Sequence, residues 1–332
     1  MSELDERAQS IARRQGMSLG ERLYQGTYYA GQPRAVIYAG EYNGYPAALK
    51  VYDDPRPTDE PVALQAFLER NRSQRLVALQ LYAFEVLTSR SGWFIMERLP
   101  TEAKSFTSPL DPTRRQEFLG LYREYRRNWP TEPTRPLSLP EQLLANEFNL
   151  FRVNRWFELA SLREEERRLA GQEVLLDPAT LLPRLRWVRQ LINSEFARRR
   201  MEWSHGHFKP KELFHTPGSS RYYLTDFAHA KMYPEGYEFG IMVWADWLMT
   251  ADWRLPYTAW RAGIDAWQND LQPVAVELGI QGYRALMNAS LAERTIGSIL
   301  ADVTAANRPP GEAQQRLALL TQLLDELIAT TE

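Results

Sequence analysis

Histidines and an aspartate are concentrated in one stretch of the second half of the sequence. His205 and His207 stand in "SHGHFKPKELF", and His215 and His229 follow, so all four histidines fall within 25 positions. Asp226 lies in the same stretch, directly after the apolar run "YYLT". Imidazole transfers protons near neutral pH and binds transition metals, whereas a carboxylate is a hard oxygen ligand suited to Mg²⁺. This stretch is therefore the first candidate for chemistry.

A lysine in the first half offers a different chemistry. Lys50 follows the apolar residues "AAL" in a β-rich run. An ammonium group at the end of a strand can bind phosphate oxygens as a point charge. Lys50 and Asp226 would together suit a phosphate-bearing ligand if the fold brings them to one place.

Short β-rich runs come first along the chain. Asn43-Gly44 separates two of them, and this pair tolerates the positive φ that a tight hairpin turn needs. A proline-rich turn, a helix and two further strands follow. The predicted elements are strands near 23–30, 34–42 and 45–52, a helix over 59–71, and strands over 81–89 and 92–99.

From Asp111 onward the hydrophobic periodicity is mainly helical. One β-like island interrupts it, with a turn at 217–220. Sheet first and helices afterwards is the order of an α+β fold. The predicted helices cover 112–129, 139–169 and 179–203, and several more lie in 238–332, with the β-like island at 212–227.

Four motifs, taken in order, resemble the protein-kinase-like superfamily, most closely its aminoglycoside-phosphotransferase and small-molecule-kinase branch. "AALKVY" is similar to the third strand with its phosphate-binding lysine, and "WFIMERL" to the fifth strand entering the hinge. "HGHFKPKELF" resembles the catalytic loop and "LTDFAHAK" the metal-binding motif. Each motif is weak alone, but their order and the 19 positions from His207 to Asp226 strengthen the match.

The resemblance implies a bilobal fold. An N-terminal lobe with an antiparallel β-sheet, one helix and Lys50 would precede a larger, mainly helical C-terminal lobe. Asp246, in "MVWADWLM", resembles the aspartate that braces the catalytic loop backbone in protein kinases. The implied parts are a polar tail or helix at 1–20, the first lobe at 21–98, the second lobe at 99–332, an inserted helix at about 138–170, and the catalytic-loop and metal-motif region at 203–231.

The same resemblance implies a cleft that binds ATP and Mg²⁺. Lys50 would contact the phosphates and would itself be held by a glutamate of the following helix. Glu69 is better spaced for this than Glu60, although either could serve. Glu97 and Leu99, in the hinge, are the further candidates for nucleotide binding.

The catalytic loop departs from the family pattern at several positions. Asp226 and Glu212 would be the metal ligands, but Glu212 stands where the family has asparagine. His207 and Lys209 are the candidate catalytic residues, but His207 stands where the family has the aspartate that accepts the proton of the substrate hydroxyl. The first hairpin also lacks a glycine-rich triplet, because Gly31 is nearly alone in "AGQPRA".

A histidine is not an electrostatic copy of an aspartate. Neutral imidazole accepts a proton with a pKa near ~6.5 but brings no negative charge to orient a hydroxyl. Loss of a general base costs about 10²–10⁴ in rate, whereas nucleotide binding depends on other groups. Lys50 and Asp226 beside His207 therefore predict a nucleotide-binding pseudokinase. The alternative is an active but atypical ATP-dependent phosphotransferase acting on a small-molecule or protein hydroxyl.

Composition excludes several other classes. The 40 Lys and Arg against 42 Asp and Glu leave a net charge of -2, without the broad positive field that nucleic-acid binding uses. The absence of cysteine removes thiolate chemistry and suits a reducing compartment. The charged start "MSELDERAQS" contains no apolar signal segment, and no apolar stretch is long enough for a membrane span. A cytoplasmic protein is expected.

Two interpretations from other classes stay open. The histidines, together with Asp226 and Glu212, could form a transition-metal site, since His205 and His207 would share one face of a strand. Alternatively, the cleft is vestigial and the chain is a scaffold that binds a protein partner through basic helix surfaces. The candidates for such surfaces are Arg123, Arg126, Arg127, Arg198, Arg199 and Arg200.

Overall fold

The computed structural model of the chain describes residues 2–27, 33–54, 60–129, 132, 139–303 and 309–330, and of residues 139–149 and 310 the backbone only. The strands are β1 (Ser18–Thr27), β2 (Pro33–Tyr42), β3 (Tyr45–Asp53), β4 (Leu76–Ala78), β5 (Leu81–Val86), β6 (Ser91–Glu97), β7 (Lys104–Ser105), β8 (Met201–Ser204), β9 (Leu213–His215), β10 (Tyr222–Leu224) and β11 (Lys231–Pro234). The helices are α1 (Glu3–Gln15), α2 (Glu60–Arg70), α3 (Pro112–Asn128), α4 (Leu139–Leu169), α5 (Leu182–Phe196), α6 (Glu238–Val243), α7 (Tyr257–Glu277), α8 (Tyr283–Gly297) and α9 (Pro310–Ala329). The fold is α+β and bilobal, with the sheet-rich lobe first.

An antiparallel sheet in the order β1-β2-β3-β6-β5 forms most of the first lobe. Asn43 and Gly44 both have positive φ in the turn between β2 and β3, as a tight hairpin requires. The sheet register places Lys50 opposite Phe94. β1 begins at Ser18, so the expectation of a strand starting near residue 23 was wrong, and Gly31 lies outside the described residues.

The N-terminal residues form a helix rather than a loose tail. Ser2 caps α1 through a capping box. The apolar side of α1 packs on one face of the sheet. Leu4, Ala8 and Ile11 contribute to the small core there, which includes Leu49. One face of the strand that carries Lys50 is thus covered, and α2 lies on the other side.

A second sheet joins the two lobes. β4, which follows α2, pairs in parallel with β10 of the helical lobe, and the sheet order is β4-β10-β9-β7. Asp226 lies two residues after the end of β10. The pairing therefore fixes Asp226 relative to the first lobe.

The second lobe is a helical bundle around a large apolar core. The prediction of one helix over 179–203 was wrong at its end, because α5 stops at Phe196 and β8 pairs antiparallel with β11. Long-range pairing of this kind overrides local helical periodicity. A strand, not a helix, therefore leads into "SHGH". Across the described helices, none is long and apolar enough to cross a lipid bilayer.

Candidate nucleotide and metal site

A cleft of about 650 Å³ lies between the two lobes. Apolar side chains from both lobes line one part of it, including Ala48, Met96 and Phe214. Lys50 and Asp226 line another part. A pocket that combines apolar walls with a few convergent charged groups is the usual form of a small-molecule site.

Lys50 forms a buried ion pair. Its Nζ lies 2.6 Å from Glu60 Oε2, and the two side chains are 12% and 6% exposed. Burial opposes the ammonium charge, but the carboxylates of Glu60 and Asp226 outweigh it and raise the pKa of Lys50. The preference for Glu69 as the partner was wrong, because Glu69 is exposed and accepts a hydrogen bond from Gln65.

Asp226 has an unusual backbone conformation. It sits in the left-handed region with φ 60°, between β10 and a single 3₁₀ turn that begins at Phe227. An aspartate tolerates this conformation better than most residues, and such strain often marks functional positions. Phe227 is buried against Phe67 of α2 and Trp129, which holds the turn in place.

The carboxylate of Asp226 is strongly favoured over its protonated form. Burial alone would raise its pKa, but the neighbouring His229, His207 and Lys50 hold the pKa well below the ordinary value of an aspartate. The aspartate therefore presents a negative charge to the cleft. That charge fits a role in binding a cation.

Glu238, which the sequence did not indicate, holds the loop that carries His207. Gly206 has φ 74°, and a Cβ atom there would lie 2.4 Å from the Tyr233 ring. Its N–H donates to Glu238 Oε1 at 2.8 Å. The expectation that Asp246 braces this loop was wrong, because Asp246 accepts the N–H of Leu110 instead, at 3.0 Å.

His205 is part of the support beneath the site. It is fully buried, its Nε2 lies 3.0 Å from the carbonyl oxygen of Thr225, and its ring meets Phe227 edge-on. Burial lowers its pKa to about 4, so it is neutral at pH 7. His205 therefore packs beneath the turn that follows Asp226.

His207 lies in direct contact with Asp226. Its Nδ1 is 3.2 Å from Asp226 Oδ2 and 3.3 Å from Lys209 Nζ. Burial and the Lys209 charge lower the pKa of His207 to about 3, so the ring is neutral at pH 7. Lys209 also pairs with Glu212, whose Oε1 is 3.1 Å from Nζ.

His229 joins this group, although the sequence offered no special context for it. It follows Asp226 by three residues, at the end of the 3₁₀ turn, and its Nε2 lies 3.6 Å from Asp226 Oδ2. Its ring stacks on His207 at 3.5 Å between centroids. The three-residue spacing, which returns a side chain to the same side of a tight helical turn, is the signal that could have indicated it.

The remaining predicted positions are three residues of the cleft and the arginines of the helix surfaces. Glu97 and Leu99 line the cleft, as does Glu212. Glu212 accepts a hydrogen bond from the Thr225 hydroxyl at 3.1 Å in addition to its pair with Lys209. Four of the six arginines proposed for a basic docking surface pair with buried glutamates, since Arg126 and Arg200 pair with Glu202 and Arg198 and Arg199 pair with Glu195.

Solved structures with the same fold include small-molecule kinases. An aminoglycoside phosphotransferase in complex with ADP and hygromycin B matches over 96% of this chain and 97% of its own, with a TM-score of 0.54 and 10% identity. Spectinomycin phosphotransferase in complex with ADP and spectinomycin matches over 98% of both chains, with a TM-score of 0.54 and 9% identity. Ethanolamine kinase from Plasmodium vivax matches over 94% of this chain and 83% of its own, with a TM-score of 0.51 and 12% identity.

Sequence comparison alone does not detect this similarity, since no protein-family model and no curated protein matches the chain. At such low identity the structural matches establish the fold. The chain has the protein-kinase-like fold, in the form found in small-molecule kinases.

The residues around Asp226 do not suit magnesium. Mg²⁺ requires oxygen ligands in near-octahedral geometry and retains several waters. Here two imidazoles approach the one carboxylate, and the second predicted ligand, Glu212, is engaged by Lys209 and Thr225. The donor set therefore disagrees with the Mg²⁺ that the resemblance implies.

Proposed function

We propose that this chain binds a nucleotide in the cleft and is a pseudokinase. The observation that carries the proposal is the buried Lys50–Glu60 pair, which faces Asp226 across the cleft and points a fixed ammonium at the place where phosphates would bind. The apolar wall that includes Ala48 and Met96 suits a planar base. In this proposal Glu97 and Leu99 border the base, and Lys50 binds phosphate.

Loss of transfer follows from His207. The neutral imidazole brings no negative charge to orient an acceptor hydroxyl. Phosphoryl transfer depends mainly on positioning and electrostatic stabilisation, so it suffers more than binding does. Asp226 and Glu212 are not expected to hold Mg²⁺, because the donor groups around them do not fit this ion.

A thermal-shift titration with ATP tests nucleotide binding. A ligand that binds only the folded state stabilises it by RT ln(1 + [L]/Kd), so millimolar ATP should raise the melting temperature. The shift should persist without Mg²⁺. Lys50→Ala should remove most of it, whereas Lys104→Ala, at an exposed position in β7, should leave it intact. No shift with any nucleotide in the wild type would reject the proposal.

An active, atypical phosphotransferase is the second candidate, and one contact favours it. The 3.2 Å approach of His207 Nδ1 to Asp226 Oδ2 would orient the ring, with Nε2 left to accept a proton. His207→Asp separates the two candidates by γ-phosphate release and transfer assays. A pseudokinase should turn over very slowly and gain activity in this variant, with its ATP shift retained, whereas a working histidine base should lose activity.

A further inference from the structure

We propose that His207, Asp226 and His229 form a binding site for a divalent transition-metal ion of the zinc class. One ligand atom from each residue lies within 4.8 Å of the others, and these three form the only such group among the residues that the structure describes. The inference goes beyond nucleotide binding, because the three side chains can hold an ion without any nucleotide.

Two of the three distances between the ligand atoms fit such an ion. Ligands at about 2.1 Å from a tetrahedral zinc lie about 3.4 Å from one another. Asp226 Oδ2 is 3.2 Å from His207 Nδ1 and 3.6 Å from His229 Nε2. The two rings are stacked at 22°, so both rings must tilt before their lone pairs can converge on one ion.

The hydrogen-bond arrangement at His207 is compatible with a cation that replaces the Lys209 ammonium as the partner of Nδ1. Nδ1 lies 3.3 Å from the Lys209 ammonium, which can only donate, and 3.2 Å from the Asp226 carboxylate, which can only accept. A single ring nitrogen cannot offer a lone pair to Lys209 and a proton to Asp226 at once. With the lone pair on Nδ1, two acceptors face each other, which is the arrangement of two ligands around a metal ion.

The ligand types select among metals. Imidazole suits Zn²⁺, Cu²⁺, Ni²⁺ and Fe²⁺, whereas Mg²⁺ prefers carboxylate, carbonyl and water oxygens. Two histidines and one carboxylate leave a fourth position for water or for a ligand oxygen. The three side chains are 14–27% exposed, so an ion can reach them from solvent.

Metal titration of untagged protein at pH 7.5, without nucleotide, tests the site. Co²⁺ should give d–d absorption bands that saturate at one ion per chain, and Zn²⁺ should abolish them at equal concentration. A hundredfold excess of Mg²⁺ should not. Absence of Co²⁺ bands in the wild type, or their loss to Mg²⁺ at that excess, would overturn the proposal.

Substitutions locate the ion. His229→Ala and His207→Ala should each weaken Zn²⁺ binding at least about tenfold by calorimetry, since even the loss of an outer partner has that effect. His215→Ala is the matched control, because this ring packs on Tyr222 outside the group and should leave the affinity unchanged. Equal affinity in all four proteins would place the ion elsewhere and overturn the assignment. Circular dichroism verifies folding, and the wild-type cobalt spectrum does not depend on any variant.

The two proposals can fail separately. Lys50→Ala, which should remove the ATP shift, should still bind one Zn²⁺. An ATP shift without metal binding would overturn only the metal site. Metal binding without any nucleotide shift would overturn only the pseudokinase proposal.

Discussion

At the scale of single residues, the Lys50–Glu60 pair is the most demanding interaction of the cleft. Both side chains are largely withdrawn from water, so each charge depends on the other. A buried pair adds little net stability over apolar residues, but removal of one partner leaves an uncompensated charge and costs about 3–5 kcal/mol. The pair therefore organises the site more than it stabilises the fold.

Glu60→Gln should lower the free energy of unfolding by a few kcal/mol, at about the scale given for a broken buried pair. It should also reduce the ATP-induced thermal shift, because Lys50 loses the group that orients it. Urea unfolding and fluorimetry measure the two effects. Glu69→Gln, nine residues further along α2, serves as the control, since this exposed side chain contacts Gln65 and not Lys50. An equal effect of both substitutions would contradict the assigned pairing.

At the scale of elements, the loop after β8 depends on the start of α6. Glu238 is the first residue of α6, and its Oε1 accepts the N–H of Gly206 and, at 3.3 Å, the hydroxyl of Tyr125. Burial raises the pKa of Glu238 to about 7, although Arg126 and the Gly206 N–H oppose the shift. The support of the His207 loop therefore includes a carboxyl group that titrates near neutral pH.

This raised pKa predicts a pH dependence with a definite sign. Folded Glu238 keeps its proton up to about pH 7, whereas the unfolded chain releases it at about 4.5. The stability contributed by this group is thus complete below pH 4.5 and is lost as the pH rises to about 7, at about 1.4 kcal/mol per pH unit. We measure the free energy of unfolding in urea at pH 5 and at pH 7. Its decrease between the two pH values should be smaller by about 2–3 kcal/mol in Glu238→Gln than in wild type. Identical pH dependence in the two proteins would refute the assignment.

At the scale of the whole molecule, two long-range connections hold the cleft in place. The parallel pairing of β4 with β10 joins the lobes directly behind Asp226. Asp246 joins three parts of the second lobe, since it is fully buried and accepts the N–H of Leu110 and, at 2.9 Å, the indole N–H of Trp267 in α7. The segment that leaves the hinge is thereby tied to the helical core.

Asp246→Ala should destabilise the protein by about 2–4 kcal/mol, because it leaves buried donors without an acceptor. The measurement is the urea midpoint of unfolding, which should be lower in Asp246→Ala than in the wild type. Asp252→Ala is a suitable control, since Asp252 is exposed and pairs locally with Arg254. If the two variants unfold at the same midpoint, Asp246 does not have this connecting role.

The sequence by itself determined the class of fold and most of its regular elements. Hydrophobic periodicity and turn residues are local signals, so the hairpin at Asn43-Gly44 and the helices α2 and α3 could be predicted nearly to the residue. The motif order placed Lys50 and Asp226 at one cleft, because the motifs reflect a chain path as well as single residues. Local signals could not predict β4, β7 or β8, which exist through pairing with distant strands.

The tertiary structure decided which side chains meet. Glu60 rather than Glu69 reaches Lys50, because nine residues of helix separate the two acids by about 13 Å along the α2 axis. Glu238 rather than Asp246 braces Gly206, and His229 stacks on His207, because the turn after Asp226 folds back on the loop from β8. These contacts join residues 10 to 32 positions apart in the chain, and their geometry depends on the packing of the whole lobe. The periodicity and spacing of the sequence do not encode such distances one by one.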